Sequence, residues 1–311
     1  MEVRRIFIVN PHSGRGRGLR SGKEIEEILK RGEIEGDVVY TKGPGDETNL
    51  ARQAILDGHT CLISVGGEGT GNGIINGMAE LGIPIRIPLG FVPAGTANDF
   101  ARFLRIPKDT KGALEVINQG REMAIDLGKV WGKINERIFL NEVSFGFTTR
   151  LLQLFEDFKR RFPLLPTQGL YLATAVNKLL SQIEYFEAEI KTQSIYLKDK
   201  VTLILVANGP NCGGIFKLAP EAIPTDGLLD VCLIKEMAVK KILANFLRAM
   251  KGTHLGLPEV WTLSDGKLPQ VSSLTISSPQ NLPCEMDGEL LVAEKEYKIT
   301  LLPKALKVIV P

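Results

Sequence analysis

Cysteine and tryptophan are scarce in this chain, long apolar runs are missing, and neither sign of charge dominates. The four cysteines, Cys61, Cys212, Cys232 and Cys284, are widely scattered and form no CxxC pair. That spacing argues against a zinc site and suits reduced thiols used as core or strand filler. No stretch approaches the roughly 20 apolar residues of a transmembrane helix. The first apolar run, Ile6-Phe7-Ile8-Val9, is too short for a signal peptide and passes directly into polar sequence. The expectation is a cytoplasmic protein, with peripheral contact at the inner membrane face left open. Lys and Arg number 38 against 36 Asp and Glu, a net charge of +2. There is no overall basic field of the kind bulk nucleic-acid binding requires, so nucleic acid is not an expected partner and any membrane contact must be local.

What the chain does have is glycine in meaningful places. The run Ser64-Val65-Gly66-Gly67-Glu68-Gly69-Thr70-Gly71-Asn72-Gly73 follows an apolar strand-like segment and precedes Ile74-Ile75-Asn76-Gly77-Met78. Strand, tight loop, helix is the order in which backbone N–H groups at a helix start can face an anion, and phosphate is the anion it suits. The loop lacks the Lys-Ser/Thr of a Walker A motif, and it ends in Asn72 where the dinucleotide fingerprint needs a third glycine.

Two further strand ends carry similar loops. Val3 to Val9 reads as a buried strand leading into Asn10-Pro11-His12-Ser13-Gly14-Arg15-Gly16-Arg17-Gly18, where Arg15 or Arg17 could stand near a phosphate. Asp37 to Thr41 reads as a second strand, followed by a helix that Asp46 can cap. Ile85 to Val92 reads as a fourth, leading into Pro93-Ala94-Gly95-Thr96-Ala97-Asn98-Asp99-Phe100-Ala101. Strands and helices alternate to about residue 120, which predicts a parallel sheet with ligands at its carboxyl edge. His12 has no partner spacing and His254 reads as a loop residue.

From about Met123 the pattern changes to successive strands: Ala124 to Val130, Glu136 to Val143, Tyr185 to Ile190, Val201 to Ala207, Leu229 to Ile234, Val271 to Ile276 and Tyr297 to Leu302. This half is expected to be mostly antiparallel. A helical interval, Thr148 to Leu180, interrupts it. There Phe155, Phe158, Phe162, Leu164 and Leu165 surround Lys159-Arg160-Arg161, a mixture suited to an anionic membrane surface or simply to a solvated helix face. Lys240 to Leu247 reads as an amphipathic surface helix. The boundaries read from these patterns are 1–122 for a first domain and 123–302 for a second, with a short apolar strand closing the chain.

Taken together, Asn10-Pro11 with Ser13-Gly14, the Gly66 to Thr70 loop with Asn72 and Asn76-Gly77, Pro93 to Ala101, Pro220, Asp226-Gly227-Leu228-Leu229-Asp230-Val231 and Asp287-Gly288-Glu289 resemble, in order, the diacylglycerol kinase catalytic-domain family, which includes bacterial soluble lipid kinases and sphingosine kinases. The resemblance spans nearly the whole chain. It implies an α/β plus β architecture: a Rossmann-like, NAD-kinase-type nucleotide domain and an antiparallel β-sandwich-like domain, with ATP and lipid meeting between them and with 303–311, whose strand is Ala305 to Val310, returning to the first domain. It implies that Gly66, Gly67, Glu68, Gly69, Thr70, Gly71 and Asn72 cradle nucleotide phosphates, with Asn10, Thr41, Gly95 and Thr96 in the same site. Glu289 would be the general base, and Asp287 would orient the reacting group or help place metal. Mg²⁺ is the implied ion, with Glu68 beside the phosphates and a second, structural magnesium at Asp226 and the carbonyls of Ile223 and Leu228.

Two positions depart from the family pattern: Glu68 stands where Asp is usual, and Gly73 where Glu is usual. Both bear on metal geometry and rate, since a displacement of about 1 Å can cost on the order of a hundredfold. The retained Glu289 and three loops favour a working enzyme. The expected activity is ATP-dependent phosphorylation of a lipid hydroxyl such as that of diacylglycerol. Phosphatidylglycerol, a sphingoid base, a polyprenol or a soluble alcohol as acceptor stays open, as does a nucleotide- or lipid-binding regulator. The oligomeric state is open, a homodimer included.

Overall fold

The computed structural model describes residues 3–134, 136–161, 174, 183–211, 216–262 and 271–311. The chain divides into two compact units, one of residues 1–127 with 302–311 and one of residues 128–301.

The first unit alternates strand and helix: β1 (Arg5–Val9), α1 (Arg17–Lys30), β2 (Asp37–Tyr40), α2 (Asp46–Leu56), β3 (Cys61–Gly66), α3 (Glu68–Ala79), β4 (Ile85–Pro93), α4 (Asp99–Phe103) and α5 (Thr110–Gln119). β2, β1, β3 and β4 lie side by side in that order, all parallel. The far end of the last strand, β13 (Glu289–Ile309), pairs parallel with β4, Leu306 against Ile85. All six residues of β3 are buried, as a central parallel strand covered on both faces must be. Asp46 does not cap α2. Its carboxylate accepts the Lys42 N–H at 2.8 Å, and no side chain caps that helix. The capping carboxylate of this unit is Asp109, which accepts the Gly112 N–H at 2.9 Å at the start of α5.

The second unit is antiparallel: β6 (Glu136–Phe139), β7 (Glu142–Gly146), β8 (Phe186–Lys191), β9 (Tyr196–Ala207), β10 (Asp230–Lys235), β11 (Val260–Trp261), β12 (Ser273–Met286) and the first part of β13, with α6 (Phe147–Arg161) and α7 (Val239–Lys251). Its strands run β11, β10, β9, β7, β12, β13, and β8 pairs with both β9 and β12. The end of β5 (Glu122–Trp131) pairs with β6.

In β9 the run from Leu203 to Ala207 is apolar at every position because both faces are covered. Ile204 and Val206 enter one core with Phe139, Phe145 and Tyr297, while Leu203, Leu205 and Ala207 enter another with Leu151, Phe216 and Cys232. Period-two alternation thus sorts one strand between two cores.

Two expectations are corrected here. The strand expected from Glu136 to Val143 breaks at Leu140 and Asn141, where the chain bends around a carboxylate described below. Phe155 is buried, so it packs inward and is no anchor for an external surface. Phe162, Leu164, Leu165 and the remainder of the expected helical interval beyond Arg161, Thr174 apart, lie outside the described residues, as does Cys212. Cys61, Cys232 and Cys284 are buried and unpaired by disulfides. No helix among the described residues is long and apolar enough to cross a membrane.

Candidate functional site

In the first unit the loops after β1, β3 and β4 are fastened to one another. The Asn10 N–H donates to Val65 O at 3.0 Å, and the Asn10 side-chain amide donates to Thr70 Oγ1 at 3.1 Å. Ala94 and Gly95 both donate to Gly66 O, at 2.8 and 2.9 Å. Asn98 closes the third loop on itself: its Oδ1 accepts the Gly95 N–H and its Nδ2 donates to Gly95 O, each at 2.9 Å. Arg17 also donates to Gly95 O.

Gly67 and Gly95 pass backbone against backbone; a Cβ on Gly67 would lie 3.1 Å from the Gly95 Cα. Side chains at either position would wedge the loops apart. Thr41, buried at the end of β2, joins the same edge through its N–H to Val9 O at 2.8 Å.

This arrangement separates residues that can face a ligand from residues that brace the loop. Thr70, Gly71 and Asn72 are buried in the first turns of α3, where Asn76 donates to Asn72 O and Oδ1 at 2.9 Å each. Gly67, Glu68 and Gly69 are half-buried at the helix start, and Thr96 is exposed on its loop. Backbone N–H groups at that helix start form a local positive end.

Glu68 accepts the Asp99 N–H, and Asp99, buried at the start of α4, pairs with Arg102. Burial first, and the Asp99 charge second, push Glu68 up to about 7. Two close carboxylates with one held half-protonated near neutrality form a pair that a cation would relieve. Asp99 was quoted in the sequence motif without a role; only the fold puts it against Glu68.

In the second unit, Asp287 and Gly288 form the two-residue turn between β12 and β13, with Met286 opposite Glu289. Both turn residues have positive φ, +46° and +82°, the geometry for which Asp-Gly is suited. The Asp287 carboxylate accepts three backbone N–H groups: Leu140 at 2.6 Å, and Asn141 and Glu142 at 2.9 Å each. It is this clamp that bends the chain between β6 and β7. Asp287 is thereby committed to holding backbone, while Glu289, two residues further on at the start of β13, is partly exposed and bonded to the Arg137 guanidinium at 3.2 Å.

Sequence reasoning passed over Glu285. It is buried, accepts the Ser144 hydroxyl at 2.7 Å, and stands at about 7 because burial outweighs that hydrogen bond. Its signal was present as Glu285-x-Asp287, a second carboxylate two residues before the Asp-Gly turn.

Ile223, Asp226 and Leu228 occupy a separate turn. Ile223 O accepts the N–H groups of Thr225 and Asp226 at 2.7 and 3.3 Å, and Asp226 Oδ1 accepts the Leu228 N–H at 3.0 Å. Burial, then the charges of Asp226 and Glu221, raise the neighbouring Asp230 to about 6. Among the described residues no group of three His, Cys, Asp or Glu is placed to hold a metal ion. Mg²⁺ is commonly held by one or two carboxylates plus substrate phosphates, so Glu68 and Asp99 fit such an ion when a nucleotide completes its shell. The 223–228 turn offers hard oxygens in the Asp226 carboxylate and the Ile223 and Leu228 carbonyls; Ile223 O and Asp226 Oδ1 accept backbone N–H groups, as Glu68 Oε1 accepts the Asp99 N–H and Asp99 Oδ1 the Arg102 guanidinium.

A family model described as the diacylglycerol kinase catalytic domain matches residues 4–130, and one described as the YegS C-terminal NAD kinase beta sandwich-like domain matches residues 141–310. A diacylglycerol kinase from Staphylococcus aureus (strain bovine RF122 / ET3-1) is 29% identical over 93% of this chain and 87% of its own. One from Staphylococcus carnosus (strain TM300) is 27% identical over 93% and 89%. Among solved structures, a diacylglycerol kinase from Bacillus anthracis str. Sterne shares the fold with a TM-score of 0.71 at 23% identity, covering 99% of this chain and 97% of that one. An NAD kinase from Archaeoglobus fulgidus, solved in complex with ATP, gives a TM-score of 0.55 at 14% identity over 98% and 93%.

Proposed function

Since the chain belongs to the diacylglycerol kinase catalytic-domain family of lipid kinases, we propose that it transfers the γ-phosphoryl group of ATP to the hydroxyl of a lipid such as diacylglycerol. The observation that carries this reading is the mutual fastening of the loops after β1, β3 and β4 around the start of α3. A phosphate chain needs rigid N–H donors whose positions do not depend on the ligand, and backbone locked to backbone supplies them. The NAD kinase neighbour crystallised with ATP supports the choice of nucleotide.

Gly67, Glu68 and Gly69 would face the phosphates, with Thr96 beside them. Glu68 and Asp99 would hold Mg²⁺, which when bound neutralises charge on the phosphate oxygens. Glu289 takes the proton from the acceptor hydroxyl as its oxygen bonds to the γ-phosphorus. The bond from that phosphorus to the β,γ-bridging oxygen breaks, and ADP leaves. Arg137 keeps the Glu289 carboxylate in one orientation, and the Asp287 clamp fixes the turn from which it projects. The acceptor would be a lipid alcohol taken from a membrane surface.

The test is transfer of label from γ-labelled ATP, with Mg²⁺, into a total lipid extract and into a set of water-soluble alcohols. The expected result is one labelled lipid, reduced about a hundredfold or more by Glu289→Gln. Full turnover by a folded Glu289→Gln protein removes Glu289 as the base. Label only in a soluble alcohol changes the acceptor, and ATP binding without any transfer makes the protein a regulator.

A further inference from the structure

The transfer chemistry gives the buried Glu285 carboxyl no role. Glu285 lies on β12 opposite Ser144 of β7 and Leu290 of β13, two residues before the Asp287-Gly288 turn. Taking a carboxyl out of water is costly, and packed apolar side chains of similar volume often serve a fold as well or better. Stability therefore does not account for a glutamate at this position.

Its partners do. Glu285 accepts the Ser144 hydroxyl at 2.7 Å and also the backbone N–H of Gly288. Ser144 is bonded in turn to Thr148, in the first turn of α6, at 2.6 Å. The carboxyl thus ties the hairpin turn to the buried junction of β7 and α6. The Gly288 bond is the one that reaches the site, because that N–H belongs to the peptide joining the two turn residues and Glu289 follows directly. Packing does not restrain Gly288: its φ is +82°, and a Cβ built on it would meet nothing within 4 Å. The Asp287 carboxylate is spent on the three N–H groups of the 140–142 corner, so it anchors the turn without reaching the peptide that follows.

We propose that Glu285 is a positioning residue: it holds the peptide between Asp287 and Gly288 at one tilt and so gives Glu289 one aim. A shift of about 1 Å in a reacting group can cost on the order of a hundredfold in rate, so a base carried on a two-residue turn needs a turn that does not sway. Arg137 steadies the Glu289 carboxylate at its tip, and Glu285 steadies the backbone from which it springs. The use made of that aim rests on the kinase reading above; the hold on the turn does not.

The test compares Glu285→Met and Glu285→Gln in the full chain, labelled with ¹³C-Asp and ¹⁵N-Gly so that only Asp-Gly peptides report by NMR. Met approximates the volume and removes both acceptor oxygens. Gln keeps one oxygen for the Gly288 N–H, while its amide donates to Ser144, whose hydroxyl can turn to Thr148. In Glu285→Met the Gly288 amide signal should move upfield and its hydrogen exchange should accelerate about tenfold or more, with the thermal midpoint kept or raised. There kcat should fall about tenfold or more while KM for ATP stays within about twofold. Glu285→Gln should restore the Gly288 signal and most of kcat. An unmoved Gly288 signal in Glu285→Met would overturn the proposal. So would an unchanged kcat beside a moved signal, or a loss of kcat that Gln does not restore. A Glu285→Met protein that fails to fold or melts well below the unmodified one would make Glu285 a structural residue and overturn it too. No transfer by the unmodified protein to any acceptor would sink the kinase reading instead, and the Gly288 signals of the two variants would still decide whether Glu285 holds the turn.

Discussion

Gly73 and Glu47 share one volume between α2 and α3. A Cβ on Gly73 would lie 2.7 Å from Glu47 Oε1 and 2.9 Å from its Cδ, and Glu47 is itself buried. The carboxylate missing from position 73 is thus matched by one from a neighbouring helix. Gly73→Glu alone should force two carboxylates into one space and lower stability by about 3 kcal/mol or more. Glu47→Ala with Gly73→Glu should recover most of that loss in denaturant unfolding, and strict additivity of the two changes would refute the shared-volume account. The departure at Gly73 was visible in the sequence. Its counterpart was not, because Glu47 lies 26 positions away and only helix packing brings the two together.

Glu68 carries a pH signature at the same scale. Its folded-state value of about 7 exceeds the ordinary 4.5, so its stabilising protonated form is complete below about pH 4.5 and lost as pH rises through 7. Above that the ionised group costs on the order of 2–3 kcal/mol in the absence of metal and nucleotide. Glu68→Gln should therefore be more stable than the unmodified protein at pH 8 and indistinguishable from it at pH 4. Urea midpoints at the two pH values decide it, and a gain independent of pH would remove ionisation as the cause.

Among elements, the β12–β13 hairpin shows where sequence pattern succeeds and where it stops. Asp287-Gly288 reads as a hairpin turn from its residue types alone, and the unbroken apolar run Leu203 to Ala207 of β9 marks a strand covered on both faces. The corner between β6 and β7 has no comparable signal. Leu140 continues the apolar run Ile138-Phe139 and Asn141 follows it, and what bends them is a carboxylate about 146 positions later that accepts their N–H groups. Asp287→Asn keeps the size and one acceptor oxygen but loses the charge and half the acceptor capacity, so it should cost about 2–3 kcal/mol. Hydrogen exchange at Leu140, Asn141 and Glu142 should accelerate first. If those amides stay protected, the corner is held by strand pairing and the clamp is incidental. A fall in turnover beyond that expected from unfolding would be the mark of Glu289 losing its platform.

At the scale of the whole molecule, the chain's last strand belongs to both units. Residues from Glu289 pair with β12 in the second unit, and the same strand then enters the first, where Leu306 and Val308 pair with Ile85 and Leu89 of β4. Ala305, Leu306, Val308 and Ile309 are buried there, Lys304 donates its N–H to the buried Asp126 carboxylate at 2.7 Å, and Val310 donates to Arg121 O at 2.9 Å. The sequence showed only a short closing apolar strand, since pairing across so many residues leaves no local trace. The loops after β1, β3 and β4 therefore depend on a sheet that this distant segment completes. Three large apolar side chains at about 1.5–3 kcal/mol each amount to about 5–9 kcal/mol, comparable with the whole stability of a domain. Deleting residues 303–311 should leave the first unit unfolded while the second keeps its strands. Amides of β1 and β3 should then exchange freely while those of β9 and β12 remain protected, and nucleotide binding should disappear with the former. Retained protection in β1 and β3 would mean that β2, β1, β3 and β4 with their helices form a complete core without the returning strand.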